Sequence, residues 1–214
     1  MKASFWFEKW QTREIAFHEG KVNKLLEKHI DALNLEVGSH VFVPLCGKTK
    51  DIAWLLHKGY KVTGAELSPE AVIELFEELQ IEPLVESLDG YDVYKSTNLT
   101  VYVGDYFNLT DAHIHNIDAV YDRAAFIAMP ASMLGQYSSK LIALSQSAPQ
   151  LLVGYSYDQK LISGPPFSID NDTIAEYYKS TYSIEHLDSI DSGEKIKGVA
   201  PALEGCWLLR PNKK

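Results

Sequence analysis

The stretch from His40 to Glu66, HVFVPLCGKTKDIAWLLHKGYKVTGAE, constrains the fold more than any other part of the chain. Its apolar run at 41–43 reads as a strand and ends in Pro44-Leu45-Cys46-Gly47. Ile52, Ala53, Leu55 and Leu56 then recur at helical spacing between Lys48 and His57, and Gly59 is a natural helix stop. A second apolar run over 62–67 carries Glu66. Strand, loop, helix and strand in this order predict one unit of a parallel, nucleotide-binding α/β sheet. The loop is not the G-x-G-x-x-G fingerprint, because only Gly47 remains of its glycines. That argues against a dinucleotide oxidoreductase.

The rest of the chain continues the alternation. A helical face (Val22, Leu25, Leu26, His29, Ile30, Leu33) precedes the first strand. Ser68-Pro69 is a helix cap followed by proline at the first helical position, and a helix over 69–79 follows. Residues 92–95 and 99–103 predict a hairpin across Ser96-Thr97-Asn98, with the second arm entering the main sheet. Strands follow at 117–121 and 151–157, separated by a helix that Pro130 opens. A short helix at 172–178 and two late strands, 183–187 and 205–209, complete the pattern. This predicts an α/β, Rossmann-like, mostly parallel sheet with an antiparallel edge strand. We expect a single domain over 1–214, with 1–37 a helical lid segment and 38–214 the doubly wound sheet.

Twenty basic against 29 acidic residues give a net charge of −9, which disfavours a nucleic-acid partner. No stretch reaches the roughly 20 apolar residues of a membrane helix. Two cysteines, Cys46 and Cys206, have neither disulfide-framework nor metal-ligand spacing. The expectation is a cytoplasmic monomer that acts on a small molecule without a metal.

In an open parallel sheet, ligands sit at the carboxyl ends of the strands. Four such ends carry small, polar or charged residues: Leu45–Gly47, Glu66, Asp105 and Asp122-Arg123. Glu66 lies 19 residues after Gly47, the offset at which an acid accepts from ribose hydroxyls. Asp105 reads either as an adenine neighbour or as a turn residue after Gly104. Arg123 reads as an anion contact or as an ion pair with Asp122. Cys46 reads as a small residue in a tight turn rather than a nucleophile. The aromatic front (Phe5, Trp6, Phe7, Trp10, Phe17) packs a core or covers a cationic ligand. His18 has a bland reading at the entry to a helix. Gly164-Pro165-Pro166-Phe167 is a stiff loop able to reach over the site.

Taken in order, FWFEKWQ, AFH, VPLCGK, GAELS, YDRAA, SYD and GPPFS resemble the thiopurine S-methyltransferase family over roughly residues 5–170. The resemblance implies a seven-stranded S-adenosylmethionine-dependent methyltransferase fold. It implies methyl transfer to the sulfur of aromatic or heterocyclic thiols. It also implies that Trp10, Leu45, Glu66 and Arg123 contact the cofactor, with Phe17 against the acceptor. No catalytic base is assigned, since heteroaryl thiols ionise readily. The single glycine of the loop suits a sulfonium nucleoside, which has no pyrophosphate to cradle. Three alternatives share the fold: thiol, thiocyanate or halide methylation; selenium or tellurium methylation; and a non-catalytic cofactor-binding protein. The chain departs from the family pattern at Thr12-Arg13-Glu14, at Phe126 and in its C-terminal segment, where a late acceptor-holding arginine has no clear counterpart.

Overall fold

A computed structural model describes residues 3–15, 18–193 and 195–213. Its sheet has a parallel spine. The first strand, β1 (His40–Pro44), pairs with β2 (Lys61–Glu66) on one side and with β6 (Ala119–Arg123) on the other. Beyond β2 lies β5 (Leu99–Val103), and beyond β6 lies β7 (Gln150–Ser156), all parallel. The chain therefore winds outward from β1 in both directions. The crevice this leaves at the carboxyl ends of β1 and β6 is where such sheets take ligands.

Both edges are antiparallel. On one side β9 (Leu203–Pro211) pairs with β7 and with β8 (Tyr182–Asp191), which carries a bulge between His186 and Asp188. On the other, β4 (Tyr91–Lys95) pairs with β5 as expected, and β3 (Leu84–Leu88) adds a further strand. The described residues thus form a nine-stranded sheet, in the order β3-β4-β5-β2-β1-β6-β7-β9-β8. The expected seven-stranded arrangement is the run from β5 to β8, and β3 and β4 extend the sheet at one edge. Sequence reading misses β3 because all five of its residues are exposed, so no buried face imposes an apolar alternation.

Alternation along the strands builds two cores. Phe42, Val120 and Leu152 face one side, under α5 (Ala131–Leu144) and α6 (Asn171–Tyr178). Val41, Val43 and Val62 face the other, under α2 (Lys24–His29), α3 (Lys50–His57) and α4 (Pro69–Leu79). Caps set the helix starts. Asn23 accepts from the N–H groups of Leu25 and Leu26, so α2 starts just after it and tightens into a 3-10 turn at Ile30–Leu33. Thr49 accepts from Asp51 N–H, which leaves Lys48 in the loop after β1 rather than on α3. A front helix, α1 (Ala3–Gln11), lies over that loop with Trp10 buried. Among the described residues, no helix is long and apolar enough to cross a membrane.

Candidate functional site

A cavity of about 320 Å³ opens at the carboxyl ends of β1, β2, β5 and β6, within the size range of small-molecule sites. Five of the six residues singled out from the sequence line it: Trp10, Leu45, Glu66, Asp105 and Arg123. Phe17, the sixth, lies outside the described residues.

The β1 loop is built by backbone geometry. Leu45 and Gly47 both take left-handed φ, at 48° and 51°. For leucine that conformation costs energy, and such positions cluster where a ligand is clamped. Cys46 N–H donates to Ala65 O at 2.9 Å, tying the loop to β2. Gly47 N–H donates to Glu66 Oε2 at 2.7 Å. A Cβ at Gly47 would sit 3.2 Å from the Trp10 ring, so the glycine lets the aromatic front close down on the loop.

Glu66 is 7% exposed and already well bonded. Besides Gly47, it accepts from Leu67 N–H at 2.7 Å and Ser68 N–H at 2.8 Å, both on Oε1. A carboxylate offers about four acceptor positions, so one remains, on Oε2. Burial raises its pKa, while the three backbone donors pull the other way. The carboxylate is at once the keystone of the loop and a residual acceptor.

Asp105 follows Gly104, whose Cβ would collide with the Tyr91 ring at 2.6 Å. Tyr91, from the added hairpin, donates to Asp105 O at 2.7 Å and so shapes this turn. Asp105 Oδ1 caps the following 3-10 turn by accepting from Phe107 N–H at 2.9 Å. The turn reading and the position at the cavity edge are both realised.

Asp122 and Arg123 do not pair. Neighbours on a strand point to opposite faces. Asp122 is fully buried behind the cavity, accepting from Phe126 N–H at 3.0 Å and from the Tyr137 hydroxyl at 2.8 Å. Burial pushes its carboxyl up to about 6. Arg123 faces the cavity with its side chain 9% exposed, and its partner is Glu19, at 2.5 Å. Tyr155 also donates to Glu19, at 3.2 Å. Beside them lies a second buried set. Asp51 accepts from Asn23 N–H at 2.8 Å and from the Tyr121 hydroxyl at 2.9 Å. Glu204 accepts from the Asn23 side chain at 2.9 Å.

Trp6, named in the aromatic front, lines the wall, while sequence reasoning missed Lys48, Asp51, Tyr121, Met129 and Met133. His18, given a bland reading, is one of them too. Its Nδ1 is buried without a partner, and burial with the nearby Lys48 charge lowers its pKa, which favours the neutral ring. Asp51 and Lys48 carried no signal beyond being helix-start residues. Tyr121 and Met133 looked like ordinary core. Lys48 is itself paired with Glu74 and Glu78, each at 2.8 Å.

Cys46 lines the cavity, but burial, with Glu66 beside it, pushes its thiol well up, which suits the small-residue reading. Phe126 is buried against Tyr137 and Tyr178 rather than on the wall. The Gly164–Phe167 loop does not line the cavity. It braces the wall from behind, through Phe167 N–H to Ile127 O at 2.7 Å. Arg210, the last arginine of the chain, is exposed on β9, pairs with Glu185 and does not line the cavity.

The residues present suit a sulfonium nucleoside. They offer an acceptor-only carboxylate at the end of β2, aromatic faces from Trp6, Trp10 and Tyr121, and apolar walls at Leu45 and Met129.

Comparison with known proteins agrees with this geometry. Similar folds include a 1,6-didemethyltoxoflavin-N1-methyltransferase of Burkholderia thailandensis, solved with 1,6-didemethyltoxoflavin and S-adenosylhomocysteine bound. It has a TM-score of 0.67 at 13% identity, over 98% of this chain and 87% of that one. A SAM-dependent methyltransferase from Methanosarcina mazei matches at TM-score 0.65 and 13% identity, over 90% of this chain and 100% of that one. Sequence relatives are nearer. Thiopurine S-methyltransferase of Teredinibacter turnerae is 48% identical over 99% of both chains. That of Xanthobacter autotrophicus is 45% identical over 98% of this chain and 99% of its own. The family model for thiopurine S-methyltransferase matches residues 1–209. A chain that this family model covers over residues 1–209, and that is 48% and 45% identical to these two relatives over nearly their full length, belongs to the thiopurine S-methyltransferase family of S-adenosylmethionine-dependent enzymes.

Proposed function

We propose that this protein methylates the sulfur of aromatic or heterocyclic thiols, thiopurines among them. The observation that carries the reading is the meeting of Trp10, Leu45, Glu66, Asp105 and Arg123 around one cavity at the switch point of the sheet. S-adenosylmethionine supplies, when bound, an electrophilic methyl carbon on a sulfonium. The chain's own work is to hold and align. Glu66 Oε2 takes a ribose hydroxyl with its remaining lone pair. Asp105 keeps a carboxylate oxygen at the adenine edge. Leu45 presents an apolar wall, and Trp10 an aromatic face that attracts positive charge. Arg123 uses the N–H groups that Glu19 leaves open for the methionine carboxylate. Phe17 lies against the acceptor.

Rate then comes from positioning and from exclusion of water. The thiol arrives as its own thiolate and no dedicated base is assigned. Residues 1–37 serve as the lid of a single domain, a role supported by α1 lying over the Gly47 loop. We further read the protein as a cytoplasmic monomer acting on small molecules rather than on nucleic acid or membranes, which its net charge of −9 supports. A methyl-transfer screen across thiopurines, benzenethiols, thiocyanate, iodide and chalcogen oxyanions tests the reading. Turnover is expected on the aromatic thiols. Turnover confined to the inorganic anions, or cofactor binding without turnover on any acceptor, would overturn it.

A further inference from the structure

We propose that Arg13 is a positioning residue whose ion pair with Glu74 latches the front helix α1 over the bound cofactor and slows cofactor release. The proposal rests on the lid reading of residues 1–37 above. Arg13 belongs to the Thr12-Arg13-Glu14 turn, where the chain departs from the family pattern. That turn ends α1 in a defined way. Thr12 N–H donates to Glu8 O at 2.8 Å, as in a continuing helix. Arg13 N–H then donates to Trp10 O at 3.2 Å and Glu14 N–H to Lys9 O at 3.0 Å, the paired bonds of a Schellman stop. Arg13 takes a φ of 59°, the left-handed conformation that glycine adopts without strain. The turn by itself therefore favours glycine here, and gives no reason for an arginine.

The side chain supplies one by reaching α4. Arg13 pairs with Glu74 Oε1, and Lys48 pairs with Oε2 of the same carboxylate at 2.8 Å. Lys48 directly follows Gly47, the residue on which the Trp10 ring closes. One carboxylate thus joins the end of the lid to the loop that the lid covers. The side chains of Glu74 and Lys48 are only 17% and 12% exposed, and Glu78 extends the network to Lys50. An isolated surface pair contributes little, but a network around largely buried members is screened less. Within residues 3–15 the other described ion pair, Lys9 with Glu14, is internal to the segment. The Arg13 pair is therefore the one that fastens this segment to the body of the protein. Its guanidinium is mostly exposed, so salt reaches the latch and weakens it.

Arg13→Gly tests the latch, because glycine relaxes the turn while removing the cation. Stopped-flow tryptophan fluorescence on the full-length protein should show S-adenosylhomocysteine leaving about threefold faster, with a matching loss of affinity by calorimetry. Thermal stability should be unchanged or higher, which separates a lost latch from a damaged fold. Raising salt from about 0.05 M to about 0.5 M should narrow the difference between the two proteins, since it screens the pair only where the pair exists. Arg13→Lys keeps the charge and should keep release close to the original rate. Glu74→Gln should speed release, and adding Arg13→Gly to it should speed release no further.

Unchanged release from Arg13→Gly, equally fast release from Arg13→Lys, or a difference that salt does not narrow would overturn the proposal. Trp10→Ala separates that failure from failure of the lid reading. Faster release from Trp10→Ala beside unchanged release from Arg13→Gly keeps the lid and removes the latch. Unchanged release from Trp10→Ala removes the lid, and the latch with it.

Discussion

The two ends of the cavity are built by different means. At the Glu66 end, a carboxylate is held by three backbone N–H groups, from Gly47, Leu67 and Ser68. Two of those donors are its immediate neighbours in sequence. At the Arg123 end, a guanidinium is held by side chains: Glu19 directly, with Tyr155, Asp51, Asn23 and Glu204 around it. These come from the front segment and from three strands or helices far apart in the chain. The first end is rigid because it is local. The second exists only once distant elements have docked, and its charge depends on each member being present.

The largest effect should come from removing the keystone. Glu66→Ala leaves three backbone donors short of a partner and removes the proposed ribose acceptor. It should cost about 3 kcal/mol, shared between cofactor affinity and stability. Calorimetry with S-adenosylhomocysteine and thermal unfolding separate the two shares. Unchanged affinity would sink the ribose assignment and, with it, the dual role of this end.

Next comes the support behind the Arg123 end. Asp122 titrates near 6 in the fold against an ordinary 3.8, because burial raises it. A raised folded-state value means the protonated native form is favoured. That stabilisation is complete below the ordinary value and is lost as pH rises through about 6. Asp122→Asn removes the titration. The stability difference between the two proteins should therefore change by about 2–3 kcal/mol between pH 4 and pH 7, in the sense that the variant is spared the loss. Parallel denaturant-unfolding curves against pH would contradict the assignment.

The ion pair itself is worth less. Arg123→Met leaves Glu19 without its cation, but that carboxylate is partly exposed and water screens it. The expected destabilisation is about 2 kcal/mol rather than the larger cost of a sealed pair. Adding Glu19→Gln should recover part of it. A double-mutant cycle with zero coupling would break the contrast between the two ends. The smallest effect is expected at Gly47→Ala. A left-handed φ of 51° and a Trp10 ring 3.2 Å from the new Cβ should cost about 1 kcal/mol in thermal stability. No change in melting temperature would mean that the loop accommodates a side chain and that Trp10 does not seal it.

What could be read early follows this division. The strand, loop, helix and strand around Gly47 and Glu66 were legible because short-range rules of spacing, capping and glycine conformation govern them. The same rules located Asp105 at the end of β5, where it is both turn cap and cavity edge. β3 was not legible, since an edge strand with no buried face bears no periodic mark. His18, Asp51 and Tyr121 were not either, because a residue type says nothing about which cavity it will face. Arg123 lies between these cases. Its position after a strand announced a site, while of its two readings the ion pair with the adjacent Asp122 is the one that strand pleating excludes.

The sequence by itself determined the order of strands and helices, the place of the crevice and the residues at each strand end, because those depend on contacts a few residues apart. The tertiary structure alone decided that Asp122 turns away from Arg123, that Glu19 takes its place, and that Glu66 has only one acceptor position left for a ligand. Those outcomes rest on strand pleating and on which distant side chains meet in a confined, weakly screened space. No local pattern encodes that.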